Sequence, residues 1–313
     1  RDRFIGVFFI FIFSSMNQEN LFKISIICFG ASVVLLILVP LIGVEVKGSK
    51  RWIDLYLLPR FQPIELVKPF FIVFLSILLS SQRYVNIYLK YSLSFFATLG
   101  VVFLLILQPD IGQTLLILFS WSILIFISGI NLIFLITLFF ILILSFSYLV
   151  LFVPKFGYIK SRIISFFDSD TGTHNFQSDK AIESIVSGGF FGKGIGEGTL
   201  KNRVPEAHTD YIISVISEEF GIVAIILILF LFLVFIHTVF RKVNLENNDR
   251  SKLILVGCIS LILMQVMIHV GVNIRLFPTT GMTLPFISYG GSSIVGMSII
   301  SGIILNLTKR KID

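Results

Sequence analysis

Apolar residues in this chain come in long blocks separated by short polar ones. A helix that crosses a bilayer needs about 20 apolar residues, with a range of roughly 17 to 25. By that measure residues 4–16 predict a short first span, ended by Asn17-Gln18-Glu19-Asn20, and residues 21–43 a second. A polar link follows, carrying Glu45, Lys47, Lys50, Arg51, Asp54 and Arg60. Residues 63–81 predict a third span. The apolar run 92–129 is too long for one span and is broken once, at Gln108-Pro109-Asp110, so it reads as two spans joined by a tight hairpin. Residues 131–153 give a sixth span, 211–240 a seventh, and 253–273 and 285–307 the last two. The pattern predicts about nine transmembrane helices in a single transmembrane domain, 1–313, with one long polar loop, 154–210, between the sixth and seventh.

Composition agrees. With 56% hydrophobic residues and only 14% charged, the chain has more apolar surface than a soluble domain of 313 residues needs. The fold class is therefore all-α, a polytopic integral membrane protein. Lys and Arg in short loops set the orientation. Lys23, Arg83, Lys90, Arg241, Lys242, Arg250, Lys252 and the tail Lys309-Arg310-Lys311 fall on one side; Lys47, Lys50, Arg51, Arg60 and Arg275 fall on the other. The larger set marks the cytoplasm, which makes 154–210 extracytoplasmic. Nine spans then leave Arg1 outside; an absent upstream helix would restore ten spans and a cytoplasmic start. The net charge of +7 suits cytoplasmic loops and anionic headgroups, and no basic run with interleaved aromatics points to nucleic acid. Cys28 and Cys258, both inside apolar runs, read as buried small hydrophobes. His237 and His269, alone in apolar runs, read as satisfied core residues.

Four stretches carry candidate chemistry. In Phe61-Gln62-Pro63-Ile64-Glu65-Leu66-Val67-Lys68-Pro69, Pro63 suits a first helical turn and Glu65 pairs with Lys68 at i,i+3. A cation this far inside a span is expensive unless it faces a polar cavity or an anionic ligand, and Pro69 predicts a kink. In Gln108-Pro109-Asp110, Asp110 reads either as the N-cap of the next helix or as a buried functional acid. The glycine-rich run Ser187–Gly198 fails the phosphate-loop pattern: no Gly lies five residues before Gly192, and no Ser or Thr follows Lys193. It reads as a close-packing or loop-forming segment. Finally Glu206-Ala207-His208-Thr209-Asp210 sets three ionisable side chains at a water–membrane boundary, with Asp210 at a predicted helix N-terminus that both caps the helix and keeps a carboxylate ionised. Neither a zinc-protease nor a hydrolase signature is present.

Taken in order, these stretches resemble the SEDS family of bacterial cell-wall proteins, whose members are FtsW, RodA and SpoVE. The blocks are Lys50-Arg51-Trp52-Ile53, Phe61-Gln62-Pro63-x-Glu65-x-x-Lys68, Gln108-Pro109-Asp110-Ile111-Gly112, Gly192-Lys193-Gly194, Pro205-Glu206-Ala207-His208-Thr209-Asp210, and Leu284-Pro285-Phe286 with Ser288-Tyr289-Gly290-Gly291-Ser292-Ser293. The fifth block, together with Pro278-Thr279-Thr280-Gly281-Met282-Thr283-Leu284-Pro285-Phe286, looks like the FtsW versions. Departures are Ile64, Ile213-Ser214 and Thr280; the last stands where some relatives have Lys, so no role of a lysine carries over.

The resemblance implies a SEDS-type bundle, ten spans with the first one missing here, and a peptidoglycan glycosyltransferase of the inner membrane acting at the division septum. Such an enzyme polymerises lipid II, a disaccharide-pentapeptide on undecaprenyl pyrophosphate, and works with a class B penicillin-binding protein transpeptidase and other divisome proteins. Asp210 matches the family's general base. Arg60 and Lys68, then Arg51, are candidates to face the lipid pyrophosphate. Glu65, Asp110, Glu206, His208, Ser288 and Ser292 are further candidate substrate-binding residues; Glu206 and His208 either orient the loop or touch substrate. A divalent cation, Mg²⁺ or Mn²⁺, can assist through phosphates, although the sequence shows no dedicated cage. Two alternatives stay open: a lipid II flippase, for which a base at Asp210 is not obviously needed, and a division-site scaffold, in which every acid is dispensable.

Overall fold

A computed structural model describes residues 2–46, 49–54, 60–82, 86–153, 176–199 and 204–309, with 157, 160, 161, 164 and 166. Lys47, Arg83, Arg310, Lys311 and part of the 154–210 loop, all used above, lie outside the described residues. The helices are α1 (Asp2–Ser15), α2 (Gln18–Ile42), α3 (Pro63–Ser80), α4 (Ile87–Leu107), α5 (Ile111–Ile127), α6 (Leu132–Phe152), α7 (Phe176–Gly188), α8 (Ile212–Leu245), α9 (Asp249–Asn273) and α10 (Gly291–Thr308). Among the described residues, seven of them are long and apolar enough to cross a membrane, and α1 and α5 are shorter apolar helices. All nine stand where the hydropathy pattern placed them. The last begins at Gly291, six residues later than expected, because Phe286 has a φ of 65°, which no helix accepts.

The polar link before α3, expected as a loop, holds an antiparallel hairpin of β1 (Val44–Val46) and β2 (Ser49–Trp52). These strands are too short for an alternating pattern to announce them. His237 is exposed on α8, not in the core, and Cys28 is half-buried. An apolar run leaves open which of its faces meets protein and which lipid.

The chain forms two compact units. The first comprises residues 1–128, 233–265 and 285–313; the second comprises 129–232 and 266–284. In the first unit α3 is largely enclosed: Ile64, Val67, Phe71, Ile72, Val73 and Leu75 have no solvent exposure. Phe29 of α2 stacks on Phe74 with ring centroids 4.6 Å apart. Trp121 of α5 donates to Ser94 Oγ of α4 at 3.3 Å. Small residues bring backbones together, as membrane helices require. A Cβ on Gly257 of α9 would meet Ile72 at 2.5 Å, and one on Gly302 of α10 would meet Phe13 of α1 at 2.7 Å.

Pro69 leaves α3 a single helical run. It has no N–H to give to the Glu65 carbonyl four residues back. That carbonyl faces Gly296 of α10, where an added Cβ would come within 2.5 Å.

In the second unit α8 contains one break, at Gly221, with φ 78° and ψ 179°. The glycine-rich run is laid against it. Lys193 N donates to Glu218 O (2.9 Å), Gly194 N to Glu219 O (3.0 Å), Ile222 N to Gly189 O (3.0 Å) and Val223 N to Phe190 O (3.3 Å). Backbone groups freed by a helix break in a membrane protein must find partners inside the protein, and these four bonds supply them. The close-packing reading of that run is therefore correct. Glu218, wholly buried, accepts from Ser184 Oγ at 3.2 Å and pairs with the Lys193 ammonium at 3.6 Å.

Candidate functional site

The first unit carries a buried polar network built on the two stretches that opened α3 and α5. Asp110 accepts from the Gln113 amide at 3.4 Å, which makes it the N-cap of α5, and its Oδ2 accepts from Gln62 Nε2 at 2.9 Å. Arg51 reaches it from β2: Nη1 lies 3.8 Å from Asp110 Oδ1, Nε donates to Gln108 O at 3.1 Å, and Nη2 donates to Pro109 O. One guanidinium thus meets the two carbonyls that link α4 to α5 and the carboxylate that caps α5. Asp110 is thus both the cap of α5 and a buried acid (3% exposed).

The network continues inward. Gln113 Nε2 donates to Glu65 Oε1 at 3.1 Å, Lys68 Nζ lies 2.7 Å from Glu65 Oε2, and the same ammonium donates to Gln265 Oε1 of α9 at 3.1 Å. Glu65, Lys68, Asp110, Gln113 and Gln265 are all buried, with Lys68 and Gln265 at 0% exposure. The expected i,i+3 pair therefore exists, and Lys68 is enclosed by protein partners. Arg60 is placed differently: its side chain is 60% exposed and paired with Asp54 at 2.8 Å. Ser292 is buried in the first turn of α10. Ser288, also buried, lines a cavity of about 670 Å³ with Arg3, Phe4, Phe286, Tyr289 and Ser298.

The second unit carries Asp210. Residues 205–211 form a tight turn, and α8 starts two residues after Asp210, its first turn built on the Tyr211 carbonyl, which accepts from Ser214 N at 3.0 Å and Val215 N at 3.4 Å. The expected aspartate cap is thus displaced. Glu206, at φ 56°, turns the chain; its carbonyl accepts from the amides of Thr209 (3.1 Å), Asp210 (3.1 Å) and Tyr211 (3.3 Å). Its carboxylate accepts from Thr209 Oγ1 at 3.1 Å. Glu206 and His208 are exposed and Asp210 is half-buried. On the far side, Asn273 Nδ2 donates to the Asp210 carbonyl at 3.1 Å. The loop after α9 passes the carboxylate at Gly281, where a Cβ would lie 3.5 Å from Asp210 Oδ2. That loop is anchored by His269 Nδ1, which donates to Met282 O at 2.7 Å, and by Arg275, paired with Asp179 of α7 at 2.6 Å.

Gln113 and Gln265 were not singled out from sequence. Each is an amide within an apolar run, which is itself the signal of a functional or structural polar contact within a membrane. Among the described residues no three His, Cys, Asp or Glu side chains converge to hold a metal ion.

The family of FtsW, RodA and SpoVE, described as cell cycle proteins, matches residues 3–312. The chain belongs to this family. Among family members, a probable peptidoglycan glycosyltransferase FtsW of Caulobacter vibrioides (strain NA1000 / CB15N) is 31% identical over 304 residues, covering 96% of this chain and 76% of the relative. Stage V sporulation protein E of Bacillus subtilis (strain 168) is 34% identical over 291 residues, covering 91% and 77%. A protein solved in a peptidoglycan synthase complex, in work on the coordination of polymerization and crosslinking, superposes with a TM-score of 0.82 at 28% identity, over 98% of this chain and 87% of its own. The rod shape determining protein RodA of Thermus thermophilus superposes at 0.70 and 28% identity, over 97% and 84%. The all-α, multi-pass fold is the family's.

Proposed function

We propose that this chain is a peptidoglycan glycosyltransferase of the FtsW type, polymerising lipid II at the outer face of the inner membrane. The reading rests on one observation above the others: in a chain of this family, a carboxylate at the start of α8 is fixed by its backbone on both sides while its side chain stays half-open.

The chemistry follows from that placement. An acceptor sugar hydroxyl attacks the anomeric carbon of a donor. The new C–O bond forms as the bond to the lipid pyrophosphate breaks, and the hydroxyl proton leaves. Asp210 takes that proton as general base. The pyrophosphate departs with both its electrons and needs positive charge nearby. Arg60, 60% exposed and paired with Asp54, is the cation in this reading that turns to a phosphate. Lys68, Glu65, Arg51 and Asp110 act in this reading chiefly by keeping the α3 and α5 starts in place. Lys68 faces substrate only if Glu65 releases it. Ser288, Ser292, Glu206 and His208 complete the candidate binding residues. A divalent cation would be carried by the phosphates of the substrate and supply charge neutralisation there.

A class B penicillin-binding protein transpeptidase is the proposed partner, within the divisome at the septum. The test uses purified protein and lipid II, with polymer read on a gel. Asp210→Asn removes the base with little change of shape, and we expect no polymer from protein that remains monodisperse. Full polymer from that variant would overturn the reading. Lipid II movement across proteoliposomes by the same variant separates polymerase from flippase.

A further inference from the structure

Two side chains at the end of α9 hold the two backbone segments that meet at the Asp210 carboxylate. Asn273, the last residue of the helix, is wholly buried. Its single amide group donates to the Asp210 carbonyl at 3.1 Å and to the His269 carbonyl at 2.9 Å. His269, one turn earlier and 1% exposed, binds the Met282 carbonyl at 2.7 Å. A carbonyl can only accept, so Nδ1 carries the proton. Residues four apart share a helix face, so one face of one helical turn grips the Asp210 turn with one side chain and the 281–282 segment with the other. Gly281, next to Met282, has a φ of 70°, and an added Cβ would lie 3.5 Å from Asp210 Oδ2.

We propose that Asn273 and His269 are positioning residues that set the distance between the Asp210 carboxylate and the backbone at Gly281. Neither touches substrate. Asn273 fixes where the base begins, since a residue bonded at its carbonyl as well as at its amide cannot swing as a whole. His269 fixes the wall opposite. With that wall in contact range of Oδ2, an acceptor hydroxyl reaches the carboxylate only from its remaining open side. The inference rests on Asp210 as base for its catalytic consequence, but not for its structural one.

Asn273→Asp keeps the shape and, ionised, cannot donate to two carbonyls. His269→Leu removes the donor to Met282, whereas His269→Asn keeps a donor near the place of Nδ1. A displacement of about 1 Å at a reacting group costs up to roughly 100-fold in rate. The expected result is a kcat loss of about 10- to 100-fold for N273D and H269L, with KM for lipid II within about twofold, and recovery of most of the rate in H269N. Amide exchange of the 204–211 segment should quicken in N273D, and that of 278–284 in H269L. An unchanged kcat with unchanged exchange overturns the proposal, as does a rate loss that H269N shares with H269L. If N273D does not fold, the two His269 variants alone decide. Quickened exchange in variants whose Asp210→Asn counterpart still polymerises would leave the positioning intact and overturn the base assignment instead.

Discussion

Gly221 and Phe190 approach so closely that no side chain fits between them: a Cβ on Gly221 would stand nearer the Phe190 carbonyl oxygen than real Cβ contacts occur. The same holds for Gly192 against Glu219 O and Gly188 against Ser217 O. Three glycines thus let one backbone lie on another at a break in a span, where four interchain-like hydrogen bonds replace the helical ones. The φ of 78° with ψ of 179° at Gly221 is a region that essentially only glycine enters. Gly221→Ala is therefore expected to lose about 3 kcal/mol or more, since backbone strain of roughly 1–3 kcal/mol adds to an overlap that cannot relax. Thermal unfolding followed by size-exclusion in detergent checks it. Gly30→Ala and Gly100→Ala, on helices with nothing within 4 Å of the added carbon, serve as controls and should be neutral or stabilising.

Lys68 and Glu65 form a buried pair, and such a pair is costly to break from one side. Lys68→Met leaves an enclosed carboxylate that, among the described residues, meets Gln113, and should cost about 3–5 kcal/mol. Glu65→Gln with Lys68→Met removes both charges, keeps an acceptor for Gln113 Nε2, and should recover most of that stability. The same double variant measures what Lys68 does for substrate. If polymerisation at limiting lipid II returns with stability, the lysine is structural; if stability returns and rate does not, it meets the pyrophosphate.

The legible part of this fold was the part written in long apolar runs. Nine helix positions and the Gln108-Pro109-Asp110 hairpin follow from run length and one polar break, because a bilayer imposes a length on anything that crosses it. The Asp210 turn was legible as a boundary, but its geometry was not. A helix capped by Asp210 fits the residue types, yet Glu206 at φ 56° gives its carbonyl to three amides and the first helical residue is Ile212. The partners of Lys68, Asp110 and Asp210 at Gln265, Gln62 and Asn273 lie 197, 48 and 63 residues away. No periodicity encodes such separations. What the sequence does offer, at Gln265 and at Asn273, is an amide in or at the end of an apolar run, which calls for a partner.

Asn306, wholly buried on α10, gathers the open end of α1. Its amide donates to Phe13 O at 2.9 Å, Ser14 O at 3.3 Å and Met16 O at 2.7 Å. The last carbonyls of a helix have no partner of their own; Asn306 supplies one, and Lys309 Nζ adds a second donor to Ser14 O at 3.0 Å. Asn306→Ala is expected to cost about 1–3 kcal/mol, the penalty for unsatisfied buried polar groups. Asn306→Asp should be worse, since a carboxylate cannot donate to any of the three. Thermal unfolding ranks the variants, and hydrogen exchange of the 13–16 amides localises the loss.

Asp110 offers a pH test at the break between α4 and α5. Burial pushes its carboxyl above the ordinary 3.8, against the pull of the Arg51 guanidinium and the Gln113 amide, which lower it. A raised value means the folded protein holds the Asp110 proton at a pH where the unfolded chain has released it. Stability then falls as pH rises, because the native state binds more protons than the unfolded one. The contribution is complete below about 3.8, the unfolded value, and is lost as pH climbs through the raised folded value. Asp110→Asn does not titrate and supplies the reference. The stability of the native protein relative to Asp110→Asn should therefore decline from pH 4 upward until Asp110 is fully ionised, then level off. A relative stability that rises over the same range would mean that Arg51 outweighs burial and that the carboxylate is held ionised in the native state.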